Sequence, residues 1–200
     1  MTCDDKGSVL VEAAIAVPFF ILLVFGAVDA TYMFADWTLA NKAAYVGARK
    51  AVVSTPVAAN LIGNITAGYD LTNFAGQRCF EVGVTCPTAQ VTCTGAASNG
   101  SCDTGNFQDA PFTNVIFPAM KAVFPALQRQ NVQIKYETNG LGFMGQLNGL
   151  PMNVTVRIVN KTHQFYFIGP ILRFFGGAIT EAPAIPQFAS TMQSEDLTTN

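Results

Sequence analysis

The N-terminal part of the chain carries its longest apolar run. Residues 9–25 read VLVEAAIAVPFFILLVF, and the apolar character continues to residue 28, where Asp29 interrupts it. About 20 predominantly apolar residues are enough to cross a bilayer as a helix. Glu12 and Pro18 are unusual in such a run, because a carboxylate in lipid is costly and a proline removes a backbone donor. The pattern predicts one membrane-spanning helix that carries a functional acid.

The helical pattern continues beyond the apolar run. Residues 30–53 contain no proline and one glycine. Apolar residues, first large and then small, recur there at intervals of three and four, as on one helix face: Phe34, Trp37, Ala40, Ala44 and Ala48. A helix from about Val9 to Val53 would be about 65–70 Å long, roughly twice the thickness of a bilayer core. Its outer half is therefore expected to leave the membrane, to pack on other parts of the protein and to end before Pro56.

The chain after residue 56 is rich in Gly, Thr, Asn and Ala. Residues 57–112 predict a loop-dominated region with short strands, for example at 80–85 and 90–94. Residues 113–130 place apolar side chains on one helix face. Pro118 and Pro125 interrupt that pattern, which predicts a kink or a helix start near Pro118.

Alternating apolar and polar residues then predict a small sheet. The alternation covers 131–138 and 152–159, and the aromatic stretch 164–168 is also strand-like. Residues 171–179 are apolar but too short to cross a bilayer, so they are expected to cover the sheet or to rest on the membrane or a partner. Residues 181–200 are expected to form an irregular tail. The fold class predicted is α+β, with a small antiparallel sheet and a packed helix after the long N-terminal helix.

Four of the five cysteines lie close together in the Gly- and Thr-rich stretch: Cys79, Cys86, Cys93 and Cys102. Four cysteines allow three disulfide pairings, and the sequence does not choose among them. A zinc site is the rival interpretation, but its ligands usually pair two to four residues apart, whereas the intervals here are 7, 7 and 9. The cluster predicts two disulfides and hence an oxidising compartment, such as a periplasm or a cell surface.

The charges place fewer constraints on the function. Only 12% of the residues are charged, against about a quarter in soluble domains, so part of the chain is expected to lie in lipid or much of its surface to meet partners. The net charge is -2 and no basic run exists, which argues against nucleic-acid binding. Basic residues after the apolar run would place the N-terminus outside by positive-inside counting. The cysteines favour the reverse orientation, and those basic residues lie well past the membrane boundary.

No motif indicates catalysis. His163, the one histidine, follows Asn160-Lys161-Thr162 and is expected to be exposed in a turn between strands. The chain has no GxSxG elbow, no Gly-rich phosphate loop, no HExxH and no EF-hand pattern. The sequence therefore predicts neither an enzyme nor a site for a metal or a cofactor.

A family resemblance enters with the residues around the start of the apolar run. Gly7-Ser8-Val9-Leu10-Val11-Glu12 resembles a prepilin-type cleavage site, in which a peptidase cuts after Gly and the fifth mature residue is Glu. The wider pattern, GSVLVEAAIAVPFFILLVFGAVDATYMF, resembles the start of TadE-like proteins, which are minor pilins or pseudopilins of the tight-adherence type IV pilus system. The matches to that family's pattern come in order: Glu12, Pro18, Gly26 and Asp29.

The resemblance implies a function in assembly. It implies that a prepilin peptidase cuts between Gly7 and Ser8, and that Glu12 and Pro18 then serve assembly with other pilin or pseudopilin subunits through the N-terminal helix. It also implies a place in the inner membrane, with the C-terminal domain in the periplasm or on a surface pilus that supports attachment and biofilm formation. Asp4 and Asp5 depart from the basic residues usual in the leader.

Three segments are expected on this interpretation. Residues 1–7 form the leader, residues 8–54 the membrane and assembly helix, and residues 55–200 the exported α+β domain. Two alternatives stay open: a signal-anchored periplasmic scaffold that never enters a filament, and a membrane-tethered binding module or enzyme.

Overall fold

A single helix dominates the N-terminal part of the computed structural model. The structure describes residues 5–61, 63, 73, 75–79, 88–143, 151–174 and 186–194. Helix α1 runs from Asp5 to Ala51 without a break and includes Pro18. Arg49 and Lys50 lie in its last turn, where positive charge is favourable beside the C-terminal end of the helix dipole. The long helix predicted from the sequence is confirmed, with ends a few residues from those expected.

The chain divides into two compact units. Unit 1 comprises Met1–Trp37 and Thr162–Ile185, and unit 2 comprises Thr38–Lys161 and Pro186–Asn200. Within unit 1, the described part of the second segment contains one helix, α4 (Ile168–Phe174).

Unit 2 is built on an antiparallel sheet of five strands in the order β2-β1-β3-β4-β5. The strands are β1 (Gln90–Thr94), β2 (Ser101–Cys102), β3 (Val132–Thr138), β4 (Met152–Ile158) and β5 (Phe188–Ser194). In β3, the residues Val132, Ile134 and Tyr136 are buried and alternate with half-buried polar ones. Residues that alternate along a strand point to opposite faces, so one face of the sheet is apolar, as the sequence predicted.

A broken helical stretch connects the first and second halves of this sheet. It consists of α2 (Asp109–Pro111), a π-helical turn (Phe112–Ile116) and α3 (Phe117–Val123). Pro118 lies in the first turn of α3, directly after the π-helical turn, so the helical geometry changes beside it. The sequence predicted a kink or a helix start near Pro118, but the helical stretch begins earlier, at Asp109, and α3 ends before Pro125.

The outer half of α1 packs on the core of unit 2 through very small residues. Ala40, Ala44, Ala48 and Ala51 are fully buried in the apolar cluster that contains the inward residues of β3 and β4. The approach is closest at Gly47, where a Cβ atom would lie 2.6 Å from Sδ of Met120 and 3.1 Å from Cγ1 of Val156. The expected packing of this half is confirmed for the alanines, but Phe34 and Trp37 are exposed.

A disulfide closes the edge of the sheet. Cys93 of β1 and Cys102 of β2 are directly paired across the two strands, with their Cα atoms 4.0 Å apart, and their sulfurs are bonded. Cys79 is also disulfide-bonded, and Cys86 lies outside the described residues. The bond between Cys93 and Cys102 settles part of the pairing that the sequence left open and removes these two thiols from any zinc site.

Two predictions about the C-terminal third are wrong, and a strand predicted earlier in the chain lies outside the described residues. Residues 164–168 form no strand, because they lead into α4. Part of the expected tail is β5, which pairs with β4 along seven residues from Phe188 to Ser194. The strand predicted at 80–85 lies outside the described residues.

Candidate functional site

The first half of α1 presents an apolar surface that is interrupted by one carboxylate, that of Glu12. Every side chain from Val9 to Val24 is exposed, and Phe19, for example, is 73% exposed. Among the described residues, one helix is long and apolar enough to cross a membrane, by length and composition, and it is this one, Val9–Ala51. Removal of such a surface from water is strongly favourable, at about 25 cal/mol per Å². A partner that is itself apolar, lipid or another helix, is therefore needed along this length.

The predicted processing and assembly residues all lie in this half. Gly7 and Ser8 have helical backbones, and Glu12 is exposed one helical turn beyond Ser8. Pro18 lies inside the helix, where it leaves the carbonyl of Ala14 without the usual i+4 donor. The cut between Gly7 and Ser8 and the roles of Glu12 and Pro18 in assembly stay predictions.

A buried carboxylate marks the end of the apolar run. Asp29 is 0% exposed, and it accepts hydrogen bonds from three consecutive backbone N–H groups at the start of α4. Its Oδ1 accepts from Tyr166 at 3.1 Å, and its Oδ2 accepts from Phe167 at 3.1 Å and from Ile168 at 2.8 Å. The first N–H groups of a helix have no partners within the helix, and a negative charge is favourable at that end. Asp29 thus holds the start of α4 against α1.

Apolar contacts continue on both sides of Asp29. The rings of Phe25 and Phe167 are stacked with centroids 4.8 Å apart, and those of Tyr32 and Tyr166 meet edge to face at 5.6 Å. A Cβ atom at Gly26 would lie 3.7 Å from Cδ1 of Ile168, an ordinary van der Waals distance, so Ile168 also lies beside α1. Segment 166–168 therefore lies along about two turns of α1.

A second carboxylate of the same helix binds His163. The Nδ1 atom of His163 is 2.8 Å from Oδ2 of Asp36, and the histidine is only 2% exposed. The expectation of an exposed turn histidine is therefore wrong. The imidazole is enclosed by the edges of Phe165 and Tyr166, and within the described residues its Nε2 has no hydrogen-bond partner.

Sequence reasoning missed the roles of Asp29 and Asp36. The sequence marks Asp29 in two ways: it is the charge that ends the apolar run, and it matches the family pattern. These two features could have indicated a functional role for it. Its partners were not visible, because backbone N–H groups at 166–168 lie 137 to 139 residues away and leave no mark in the sequence. No sequence motif or hydrophobic pattern singled out Asp36.

The described residues contain no group of three or more His, Cys, Asp or Glu side chains placed to hold a metal ion. His163 is enclosed and bound to a carboxylate, so an attacking group would have no access to it in this conformation.

Comparison with known families gives one match. The model of the family described as TadE-like protein matches residues 7–49. Comparisons with curated proteins and with solved structures gave no match. The matched segment begins at the proposed cleavage site and takes in Glu12, Pro18, Asp29 and Asp36. Residues 7–49 of this chain are therefore similar to TadE-like proteins, a family of structural proteins associated with the tight-adherence pilus.

Proposed function

We propose that this chain is a minor pilin or pseudopilin-like subunit of a tight-adherence type IV pilus. The observation that carries the proposal is the surface of α1, on which Glu12 lies among exposed apolar side chains from Val9 to Val24. Lipid alone would satisfy the apolar side chains but would leave the carboxylate at a cost of several kcal/mol. A bundle of similar helices offers both an apolar surface and a partner for the charge.

Processing would supply that partner. A prepilin peptidase that cuts between Gly7 and Ser8 would create a charged amine on Ser8, about 6 Å along the helix axis from Glu12. The amine and the carboxylate, of the same chain or of neighbouring chains, would attract each other strongly in low dielectric, where each alone is unfavourable. Insertion beside a sister subunit would then be favoured over residence alone in the membrane.

Pro18 fits the same proposal. The carbonyl of Ala14 lacks its usual donor, so the helix can bend or open there at less cost than elsewhere. A span that adapts its shape in this way would pack more readily among helices of slightly different curvature.

The disulfide supports the proposed location. A bond between Cys93 and Cys102 persists in oxidising compartments, so unit 2 would lie outside the cytoplasm. With α1 in the inner membrane, the rest of the chain would lie in the periplasm until the subunit joins the pilus, and surface attachment and biofilm formation would follow.

The mature N-terminus tests the processing step. The full chain is purified from membranes of cells with and without the prepilin peptidase, and its N-terminal peptide is measured by mass spectrometry. We expect the peptide to begin at Ser8 only when the peptidase is present, and Gly7→Leu to stop the cut. A chain that keeps Met1 in its native membrane would favour the scaffold alternative.

Glu12→Gln tests the charge pairing. Ala13→Gln is the matched control, because it places the same amide on the next exposed position and leaves Glu12 intact. We expect both chains to be cut and to stay in the membrane, but only the control to co-purify with sister subunits and to support normal pilus output. Equal incorporation of the two variants would refute the pairing.

A further inference from the structure

We infer that the start of α4 and the adjoining turns of α1 form a surface that binds the outer interface of the bilayer, at the level of the lipid headgroups and the first acyl carbons. The exposed aromatic residues that belong to this surface are Tyr32, Phe34, Trp37, Tyr166 and Phe167, and we name them the aromatic collar. The inference requires that α1 spans a membrane, as in the proposed function, but it does not depend on cleavage or on entry into a filament.

The length of the apolar run sets the depth of the collar. Residues 9–28 of α1 cover about 30 Å, which matches the hydrocarbon core of a bilayer. Asp29 follows directly, so it lies at the boundary. Phe25 is one turn deeper, and its ring stacks on that of Phe167. The start of α4 is therefore carried to the depth at which lipid headgroups begin.

The side chains at this depth suit an interface better than water. Tyr166 is 62% exposed, Tyr32 52% and Trp37 42%. Tyr and Trp are enriched at membrane–water interfaces, where an apolar ring with a polar tip is half in lipid. The collar is also continuous with the exposed apolar surface of α1, so the lipid that covers that surface extends to the collar.

Asp29 supplies the hydrogen-bond acceptors that the backbone N–H groups at the start of α4 need at the membrane interface. Backbone N–H groups without partners cost several kcal/mol in a region with little water. The carboxylate of Asp29 satisfies those of Tyr166, Phe167 and Ile168, and in return they solvate its charge.

The single tryptophan of the chain makes the inference testable by fluorescence. The full chain is reconstituted in phosphatidylcholine–phosphatidylglycerol vesicles, and one indole is placed at position 166 by Tyr166→Trp together with Trp37→Phe. The matched control is Tyr45→Trp with Trp37→Phe, because Tyr45 is similarly exposed but lies about 24 Å further along α1 than Asp29. Quenching is measured with lipids brominated at acyl carbons 6 and 7 and with aqueous acrylamide.

We expect the brominated lipids to lower emission from position 166 at least twofold and to leave emission from position 45 within about 10% of its starting value. Acrylamide should quench the two positions in the opposite order. Addition of Asp29→Ala to the position-166 variant should reduce the lipid quenching by at least half, because the start of α4 loses its attachment.

Two outcomes would overturn the inference. One is an indole at position 166 that acrylamide reaches as easily as the control and that brominated lipid does not quench. The other is an indole shielded from both quenchers at high protein-to-lipid ratio and freed on dilution with lipid, which would assign the collar to a second copy of the chain. Both can occur with normal N-terminal processing, so failure here is distinct from failure of the proposed function.

Discussion

The two halves of α1 are held by opposite kinds of contact. In unit 2 the helix packs through Ala40, Ala44, Gly47 and Ala48 on an apolar core. In unit 1 it holds segment 163–168 through the carboxylates of Asp29 and Asp36, in addition to ring contacts of Phe25 and Tyr32.

With α1 in a membrane, as proposed, the difference would follow from the solvent around each half. Burial of apolar surface stabilises a fold in water, but lipid tails are as apolar as the side chains, so this driving force is lost at the membrane. Hydrogen bonds and close packing then decide which segments associate. On this argument, substitutions that change side-chain volume should matter most in unit 2, whereas loss of a hydrogen-bond acceptor should matter most in unit 1.

The largest expected effect is on the packing in unit 2. Gly47→Leu would force side-chain atoms into the space of Met120 and Val156, whose atoms are already 2.6 Å and 3.1 Å from a Cβ at that position. We expect a loss of about 3 kcal/mol or more in the free energy of unfolding. Thermal and urea unfolding in detergent, followed by far-UV circular dichroism, measures it.

Two variants sharpen this prediction. Gly47→Ala should cost much less, because the flexible Met120 can shift and alanine favours the helix by about 1 kcal/mol over glycine. Asn41→Leu puts the same large side chain on an exposed position of α1 and should stay within about 0.5 kcal/mol of the unmodified chain. If Asn41→Leu destabilised as much as Gly47→Leu, packing would not be the cause.

The next largest effect is on the local stability of segment 166–168 in unit 1. Asp29→Ala removes the acceptor of the backbone N–H groups of Tyr166, Phe167 and Ile168. Loss of a buried charged acceptor should cost about 3 kcal/mol, which is on the order of 100-fold faster hydrogen exchange at these amides. Exchange measured by mass spectrometry should stay unchanged in β4. Equal acceleration in both regions would mean that Asp29 supports the whole chain rather than one attachment.

The contrast between the halves also explains what the sequence could predict. Alternation along β3 and β4 reflects burial of one face in water, so these strands were found within a residue or two. The sequence pattern did not predict β5, because this strand has no fully apolar face. Phe188 and Met192 are half-buried, and Ser190 lies between them on the same side. The rest of the expected tail lies outside the described residues.

The candidate site was only half visible for a related reason. The apolar run and Glu12 are properties of consecutive residues, so the sequence shows them directly. The attachment at Asp29 joins a side chain to backbone N–H groups, which every residue except proline possesses. The helical stripe proposed from Phe34 to Ala48 is buried only from Ala40 onward. Trp37 lies on the same side of the helix as Ala44 and Ala48, but it belongs to unit 1, whereas the core that buries the alanines belongs to unit 2.

A smaller effect should appear in alkaline solution. Burial raises the pKa of Tyr136 to about 12 from 10.0, even though its hydroxyl accepts a hydrogen bond from the backbone N–H of Val57. The folded state therefore keeps a proton that the unfolded state releases, so stability is complete below about pH 10 and falls as the pH rises toward 12. The shift corresponds to a loss of about 2–3 kcal/mol once the pH exceeds the folded pKa.

Tyr136→Phe tests this origin. It should cost about 1–2 kcal/mol at pH 8, because the N–H of Val57 loses its partner, but the additional loss between pH 9 and pH 11 should be smaller than in the unmodified chain. Urea unfolding of the variant and of the unmodified chain at pH 8, pH 9 and pH 11 measures these differences. An undiminished alkaline loss in the variant would assign the effect to other groups.

The smallest effect concerns an ion pair at the surface of unit 2. The hydroxyl of Thr113 donates a hydrogen bond of 2.8 Å to Asp109, and the guanidinium of Arg129 donates another; both lower the pKa of Asp109 below its ordinary value of 3.8. A lowered pKa adds stability above about pH 4 that is lost as the pH falls through the folded value. Because the side chain is 42% exposed, water screens the interaction, and the contribution should not exceed about 0.5 kcal/mol.

Asp109→Asn should therefore lower the unfolding midpoint slightly at pH 6 and match the unmodified chain at pH 2.5. Glu137→Gln is the control. It also removes a surface carboxylate, but Glu137 pairs with Lys135 only two residues away on β3, so this variant leaves contacts between distant segments intact. A deficit of equal size at both pH values would show that the shape of the Asp109 side chain matters rather than its charge. Unit 2 would then depend on packing even at its surface, and the contrast with the carboxylate attachments of unit 1 would be complete.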